Sequence, residues 1–147
     1  MTKLWEKGTQ FDKKIENFTV GNDNDLDQIL IPYDCEASIA HVNMLNKMDY
    51  LNNDESQKLI DELNFISKES KKGNFNILKS QEDCHTAIED HLIKTCGDSG
   101  EKIHTARSRN DQVLTALRLY YRDSIENIQK LLNELASVLE VFSNKNG

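Results

Sequence analysis

The sequence predicts an all-α protein made of long helices. Its 147 residues include only six glycines and one proline, which leaves few residues for the turns of a strand-rich fold. Leucine and isoleucine instead recur every three or four residues over long stretches, the spacing of one face of a helix. With 37% hydrophobic residues, the chain can bury the core of one ordinary domain.

Composition excludes several classes of partner. The net charge is −7, which argues against a general nucleic-acid or anionic-membrane binder. No apolar run approaches the ~20 residues of a membrane span, and residues 1–7 lack the apolar core of a signal peptide. The three cysteines, Cys35, Cys84 and Cys96, have no paired spacing, which is typical of reduced thiols in a cytoplasmic protein.

The first half of the chain predicts two helices. The acidic stretch 22–25 marks a helix start, and apolar residues then follow a helical period as far as Met48. Pro32 interrupts this pattern and predicts a break or kink. A second helix is expected with Asp54 as its N-cap and Gln57 completing a capping box. Its apolar face consists of Leu59, Ile60, Leu63 and Ile66.

The middle of the chain is less regular. Residues 74–79 show the only strand-like alternation. A third helix is expected from Asp83 to about Cys96, with Gly97 in a left-handed conformation at its end. Residues 98–109 are polar and predict an irregular connection.

The segment from Asn110 onward predicts a helix of some nine turns, roughly 50 Å long. A domain of this chain length is only ~40 Å across. We therefore expect its apolar face to pack in a helical bundle with helices from further sequence or other subunits. The alternative is pairing with the helices of residues 25–48, which would cover only part of that face. The face comprises Leu114, Leu117, Tyr121, Ile125, Ile128, Leu132, Leu135, Leu139 and Phe142.

The first candidate site spans residues 83–89. His85 and Glu89 are four apart and would share one helix face, where the carboxylate could orient the imidazole for proton transfer or anion binding. The alternative is an ordinary helix start in which Asp83 and Thr86 satisfy backbone amides. A metal site is disfavoured because His85 and His91 fall on different faces and neither has a cysteine at ligand spacing.

The second candidate site spans residues 104–112, a run of hydrogen-bond donors before the longest helix. Two guanidinium groups, a hydroxyl, a carboxamide and free helix amides would favour a dicarboxylate or phosphate. The alternative is a solvated loop in which Arg107 and Arg109 pair with surplus acids. Neither site contains a glycine-rich phosphate loop or a nucleophile with its base.

These two sites carry a resemblance to a known family. Residues 104–112, HTARSRNDQ, resemble the HT(G/A)RSRNDQ signature of the argininosuccinate lyase family of the fumarase/aspartase superfamily. Residues 82–89 resemble its EDIHTxxE block. Weaker matches cover the KLW of residues 3–5 and the segments 18–21, 33–38 and 118–119.

The resemblance implies an all-helical fold, with a small N-terminal domain over 1–109 and the incomplete start of a central domain of long bundled helices over 110–147. It also implies a cytoplasmic homotetramer that self-associates through the helix of residues 110–145 and serves arginine biosynthesis. The implied reaction is cleavage of argininosuccinate to arginine and fumarate by β-elimination, without metal or organic cofactor.

Residue by residue, the resemblance implies that Ser108, Arg109 and Asn110 contact the substrate. His85 and Thr86 would line the same cleft, while Arg107 would support the loop. The family's substrate-contacting serine, in a segment reading FNAS, has no counterpart in residues 18–21.

The family's acid and base segments, a GYTHLQ-like stretch and a GSSxMPxKxN-like loop, do not occur in this sequence. We therefore expect no catalytic residue within it, an inactive chain, and a truncated protein. Two alternatives remain: another lyase of the superfamily, such as adenylosuccinate lyase, and a non-catalytic helical scaffold.

Overall fold

A computed structural model describes residues 23–78 and 80–146, and within these ranges it is all-α, with no strand. The matches at residues 3–5 and 18–21 lie outside the described residues. Six α-helices and two short 3₁₀ turns, at Gln28–Leu30 and Lys102–His104, follow one another along the described chain. The helices are α1 Asp23–Asp27, α2 Ile31–Lys47, α3 Asn53–Lys71, α4 Cys84–Cys96, α5 Asp98–Glu101 and α6 Arg109–Asn146.

The predicted break at Pro32 is confirmed. The first helical pattern divides into α1, a 3₁₀ turn and α2, and Pro32 lies in the first turn of α2. Proline is tolerated there because the amide it lacks would have no helical acceptor.

The N-cap predicted for α3 is wrong by two residues. Asn52, not Asp54, is the cap: its side-chain oxygen accepts from the Glu55 amide at 2.8 Å, and Glu55 Oε2 accepts from the Asn52 amide at 2.9 Å. Asn52 has the extended backbone that a cap requires, whereas Asp54 is already in the first helical turn.

The segment 74–79, with its strand-like alternation, is not a strand in its described part, in keeping with the predicted all-α fold. Phe75 and Ile77 turn inward and pack against the core, which accounts for the alternation. The Gln28 side chain donates to the Phe75 carbonyl and accepts from the Ile77 amide at 3.2 Å. A side chain therefore supplies the hydrogen bonds that a neighbouring strand would otherwise provide.

Helix α4 begins after Asp83 and ends at Cys96, as predicted. Gly97 has φ +62° but ψ −134°, so it does not form the left-handed cap expected of it. It reverses the chain directly into α5, and the 3₁₀ turn Lys102–His104 follows, so residues 98–109 are more regular than predicted. Gly100 packs so closely on α4 that a β-carbon there would lie 2.5 Å from the Leu92 carbonyl.

The core lies between α2, α3 and α4. Its fully buried aliphatic side chains come from all three helices, with Leu51 and Ile103 closing its ends. The members of α2–α4 are Ile31, Val42, Leu45, Leu59, Leu63, Ile66, Ile88 and Leu92.

Helix α6 has 38 residues, about 57 Å at 1.5 Å per residue. Its first third packs on the domain: Gln112 and Ala116 are buried, and the rings of Tyr33 and Tyr120 lie 5.7 Å apart. From Ile125 to Asn146 every residue is exposed. Pairing with α2 therefore covers only the beginning of the apolar face.

Nine large apolar side chains on this projecting part are each between 54% and 65% exposed. They are Ile125, Ile128, Leu131, Leu132, Leu135, Val138, Leu139, Val141 and Phe142. Among the described residues, no helix is both long and apolar enough to cross a bilayer.

Candidate active site

Ser108 caps the N-terminus of α6. Its amide and its hydroxyl both donate to Asp111 Oδ2 at 2.8 Å, and the Asp111 amide contacts Ser108 Oγ at 3.3 Å. These bonds lower the pKa of the Asp111 carboxyl, the backbone bond from Ser108 being the largest cause. The cap leaves Asn110 exposed in the first turn of α6.

Arg107 anchors the loop before this cap. The chain reaches Arg107 through Ala106, whose φ is +58°, and Arg107 Nη1 then donates to Ser38 Oγ on α2 at 3.1 Å. Burial lowers the pKa of the Arg107 guanidinium. Arg107 thus fixes the loop to α2 and points away from the exposed start of α6.

Arg109 joins the two candidate sites. Its Nη2 donates to Thr86 Oγ1 at 3.3 Å and lies 3.8 Å from Glu89 Oε2, while its Nε lies 3.6 Å from Asp83 Oδ2. All three partners belong to α4 or its cap. The structure therefore brings Thr86 and Arg109 into one cluster, with Ser108 and Asn110 beside them in the chain.

His85 lies behind this cluster. It is only 2% exposed, and its Nδ1 is 3.1 Å from Oδ2 of Asp34, which is fully buried on α2. Of the two alternatives for residues 83–89, the ordinary helix start is confirmed, because Asp83 Oδ1 accepts from the Thr86 amide at 2.7 Å. The contact of His85 with Glu89 is not formed, and Glu89 Oε2 lies 3.3 Å from His104 Nε2 instead.

Comparison with known proteins follows this geometry. A family model described as a lyase matches residues 3–146. The chain belongs to this lyase family. It is 48% identical to the argininosuccinate lyase of Thermotoga neapolitana over 99% of the chain and 36% of that protein. It is 41% identical to the argininosuccinate lyase of Bacteroides thetaiotaomicron over 97% of the chain and 32% of that protein. It is 42% identical to the argininosuccinate lyase of Sorangium cellulosum over 86% of the chain and 29% of that protein.

This lyase-family chain spans about a third of the length of the curated relatives it matches. The family resemblance read from residues 82–89 and 104–112 is confirmed.

In this lyase-family chain, sequence reasoning missed the contact of Asp34 with His85 and the contacts of Glu89. One signal pointed to Asp34: it is a charged residue in the apolar stripe of α2, three residues after Ile31 and four before Ser38, all of them buried. No comparable signal pointed to the contact between Glu89 and His104, because they lie on separate elements.

The described residues of this lyase-family chain hold no group of three or more histidine, cysteine or acidic side chains arranged to bind a metal. Cys35 and Cys84 are buried, and burial raises the pKa of both thiols. A raised pKa disfavours the thiolate, so neither cysteine is suited to act as a nucleophile.

Proposed function

We propose that the protein containing this chain is an argininosuccinate lyase, a carbon–nitrogen lyase that cleaves argininosuccinate to arginine and fumarate. The observation that carries the proposal is the contact of Arg109 with Thr86, which unites the two motif blocks beside a capped helix start. The names of the relatives support the same activity.

The reaction is a β-elimination. A base removes a proton from the carbon beside a carboxylate, the C–N bond breaks, and an acid protonates the departing guanidinium nitrogen. Negative charge builds on the succinate part, so donors placed in advance around it lower the barrier. The exposed Asn110 carboxamide at the α6 start suits this task, and the Ser108 hydroxyl suits it once the substrate displaces its hydrogen bond to Asp111 Oδ2.

In this proposal the substrate-binding wall consists of Ser108, Arg109, Asn110 and Thr86, which contact the substrate. His85 lies behind them and forms the rear of this wall. The wall requires no cofactor. We expect the groups that move protons to lie outside this chain, so the chain alone should bind argininosuccinate weakly or not at all and should not cleave it.

We also infer a cytoplasmic homotetramer. Each chain would divide into an N-terminal domain over residues 1–109 and a bundle domain that begins at residue 110. At 100° per residue, the nine exposed apolar side chains of α6 cover roughly 200° of the helix, wider than the seam of a simple two-stranded coiled coil. This width suits burial against more than one neighbouring helix. The net charge of −7 disfavours nucleic acid and anionic membranes as partners.

The test uses the complete protein, with argininosuccinate as substrate and fumarate release as the readout. Asn110→Leu is expected to lower kcat by about 100–1,000-fold, the usual effect of removing one donor to a developing charge. Asn64→Leu, at an exposed position of α3, is the control and should keep wild-type turnover.

Three results would contradict the proposal. One is near wild-type turnover by the correctly assembled Asn110→Leu protein. Another is turnover of adenylosuccinate instead of argininosuccinate, which would indicate a different lyase of the superfamily. Absence of turnover of either substrate would indicate a non-catalytic scaffold.

A further inference from the structure

Glu89 contacts both ends of the segment that leads into α6. It lies one helical turn after His85 on α4, and its Oε2 is 3.3 Å from His104 Nε2 and 3.8 Å from Arg109 Nη2. His104 begins the nine-residue motif, and Arg109 is the first residue of α6. One carboxylate oxygen therefore joins the beginning of the loop to its end.

The surroundings strengthen these contacts. The side chains of Glu89, His104 and Arg109 are 20%, 28% and 26% exposed, so water screens their attraction only in part. The hydrogen bond with His104 is the largest cause of a lowered pKa of the Glu89 carboxyl, and Arg109 acts in the same direction. Glu89 is thus a carboxylate at neutral pH.

Arg109 is held from one side only. Its Nε faces Asp83, and its Nη2 faces Thr86 and Glu89. A guanidinium is a planar fork, so partners on two of its nitrogens fix both its position and its plane. Its remaining nitrogen, Nη1, has no partner among the described residues.

The two acidic residues beside Arg109, Asp83 and Glu89, have different structural roles. Asp83 caps α4, because its Oδ1 accepts from the Thr86 amide at 2.7 Å and from Thr86 Oγ1 at 2.8 Å. Glu89 is inside α4 and is not needed to begin it. Removing the Glu89 charge would therefore weaken the contact with His104 and take away one of the three partners of Arg109, while leaving the helix start intact.

We propose that Glu89 is a positioning residue, which acts on the reaction through Arg109 and His104 and does not touch the substrate. This inference rests on the proposed function, because Arg109 is assigned there to the substrate wall. The carboxylate sets the plane of the Arg109 guanidinium and holds the loop of residues 104–108 against α4. The donors at the α6 start thereby keep one arrangement before substrate arrives.

The chain offers a matched control. Glu62 Oε2 lies 2.8 Å from His91 Nε2, with side-chain exposures of 30% and 23%. This pair joins α3 to α4, as Glu89 joins α4 to the loop, but it contacts no residue of either motif block. It has the same chemistry and similar burial, away from the proposed site.

The experiment compares Glu89→Gln with Glu62→Gln in the complete protein. Glutamine keeps the shape of glutamate and removes its charge. A displaced catalytic-site group can cost about 100-fold, so we expect kcat to fall about 10- to 100-fold in Glu89→Gln and to stay within about twofold of wild type in Glu62→Gln. The thermal midpoints of the two variants should be similar, because each variant loses one carboxylate that pairs with a histidine at similar burial. A merely structural role would affect both variants alike, so a loss of kcat in Glu89→Gln alone indicates a role in positioning.

Crystal structures of the same proteins supply the second measurement. In Glu89→Gln the Arg109 guanidinium should move by about 1 Å or more, the scale of displacement that matters for catalysis. The inference is overturned if Arg109 stays in place, if kcat of Glu89→Gln remains within twofold of wild type, or if Glu62→Gln loses as much kcat. Absence of wild-type turnover would refute the proposed function, and the position of Arg109 would still decide the role of Glu89.

Discussion

At the scale of single residues, two backbone positions shape the approach to α6. Ala106 has φ +58°, a left-handed conformation that costs an alanine roughly 1–2 kcal/mol. The turn it makes sends Arg107 inward to Ser38 and leaves Ser108 free to cap α6. The second position is Gly100, where α5 lies against the backbone of α4.

Gly100→Ala is expected to destabilise the chain. The new β-carbon would lie 2.5 Å from backbone atoms of Leu92, which cannot rotate away as a flexible side chain would. Overpacking of this kind typically lowers the free energy of unfolding by about 1–3 kcal/mol. Urea unfolding followed by circular dichroism measures the change.

Asp98→Ala is the control, since Asp98 is exposed in the same short helix. An unfolding midpoint for Gly100→Ala equal to that of Asp98→Ala would show that the α4–α5 contact can relax.

At this scale the sequence did not predict which side chains contact one another. Periodicity placed His85 and Glu89 on one helix face, but a spacing of four only makes contact available. Asp34 competes for the same imidazole from α2, which no local pattern reveals. The burial of Asp34 and His85 is a product of how α2 and α4 pack.

At the scale of elements, the caps decide where the helices begin. Asn52→Ala should lower the free energy of unfolding by about 1 kcal/mol, because it removes the oxygen that accepts from the Glu55 amide. Asp54→Ala should have a smaller effect, since Asp54 only faces the favourable end of the helix dipole. Thermal unfolding of both variants makes the comparison, and a larger loss in Asp54→Ala would contradict the observed cap.

Helix predictions succeeded where apolar residues follow the helical period over a long stretch and missed the short helix and 3₁₀ turn within residues 98–109. The periods of α2, α3, α4 and α6 are long enough to outweigh local exceptions. The segment 74–79 alternates because Phe75 and Ile77 face the core. The hydrogen bonds at the Phe75 carbonyl and the Ile77 amide come from Gln28, 47 and 49 residues earlier in the chain, and such a distant partner leaves no trace in the segment itself.

At the scale of the whole molecule, the chain is expected to self-associate. Burying each large apolar side chain of α6 is worth roughly 1.5–3 kcal/mol, and repulsion from the net charge is screened within ~8–10 Å at ordinary salt. Light scattering after gel filtration at tens of micromolar should show a species heavier than one chain. A species with the mass of one chain would contradict this prediction.

Leu132→Glu and Leu135→Glu should shift that species toward one chain, because each places a charge in the apolar face. Asn133→Glu, on the polar face between them, is the matched control and should leave the assembly unchanged. Equal loss of assembly in all three variants would show that charge, not the apolar face, controls association.

The fold class and both candidate segments could be derived from residue spacing, whereas the contact between the two segments could not. Spacing predicts a helix start at Asp83 and another near Asn110, but the contact of Arg109 with Thr86 joins residues 23 positions apart on separate helices. Only the family resemblance implied that the two segments share a cleft, and the structure shows that Arg109 Nη2 and Thr86 Oγ1 meet.

Because only the first third of α6 packs on the domain, a small tilt there moves the exposed end of the helix by a larger distance. The 22 residues from Ile125 to Asn146 extend about 33 Å, so a ten-degree tilt at the base would displace the tip by about 6 Å. This sideways displacement is comparable with the ~8–10 Å between the axes of packed helices, enough to separate the tip from a helix that packs beside it. The side chains at the base of α6 thus control where its exposed apolar face lies relative to the rest of the chain.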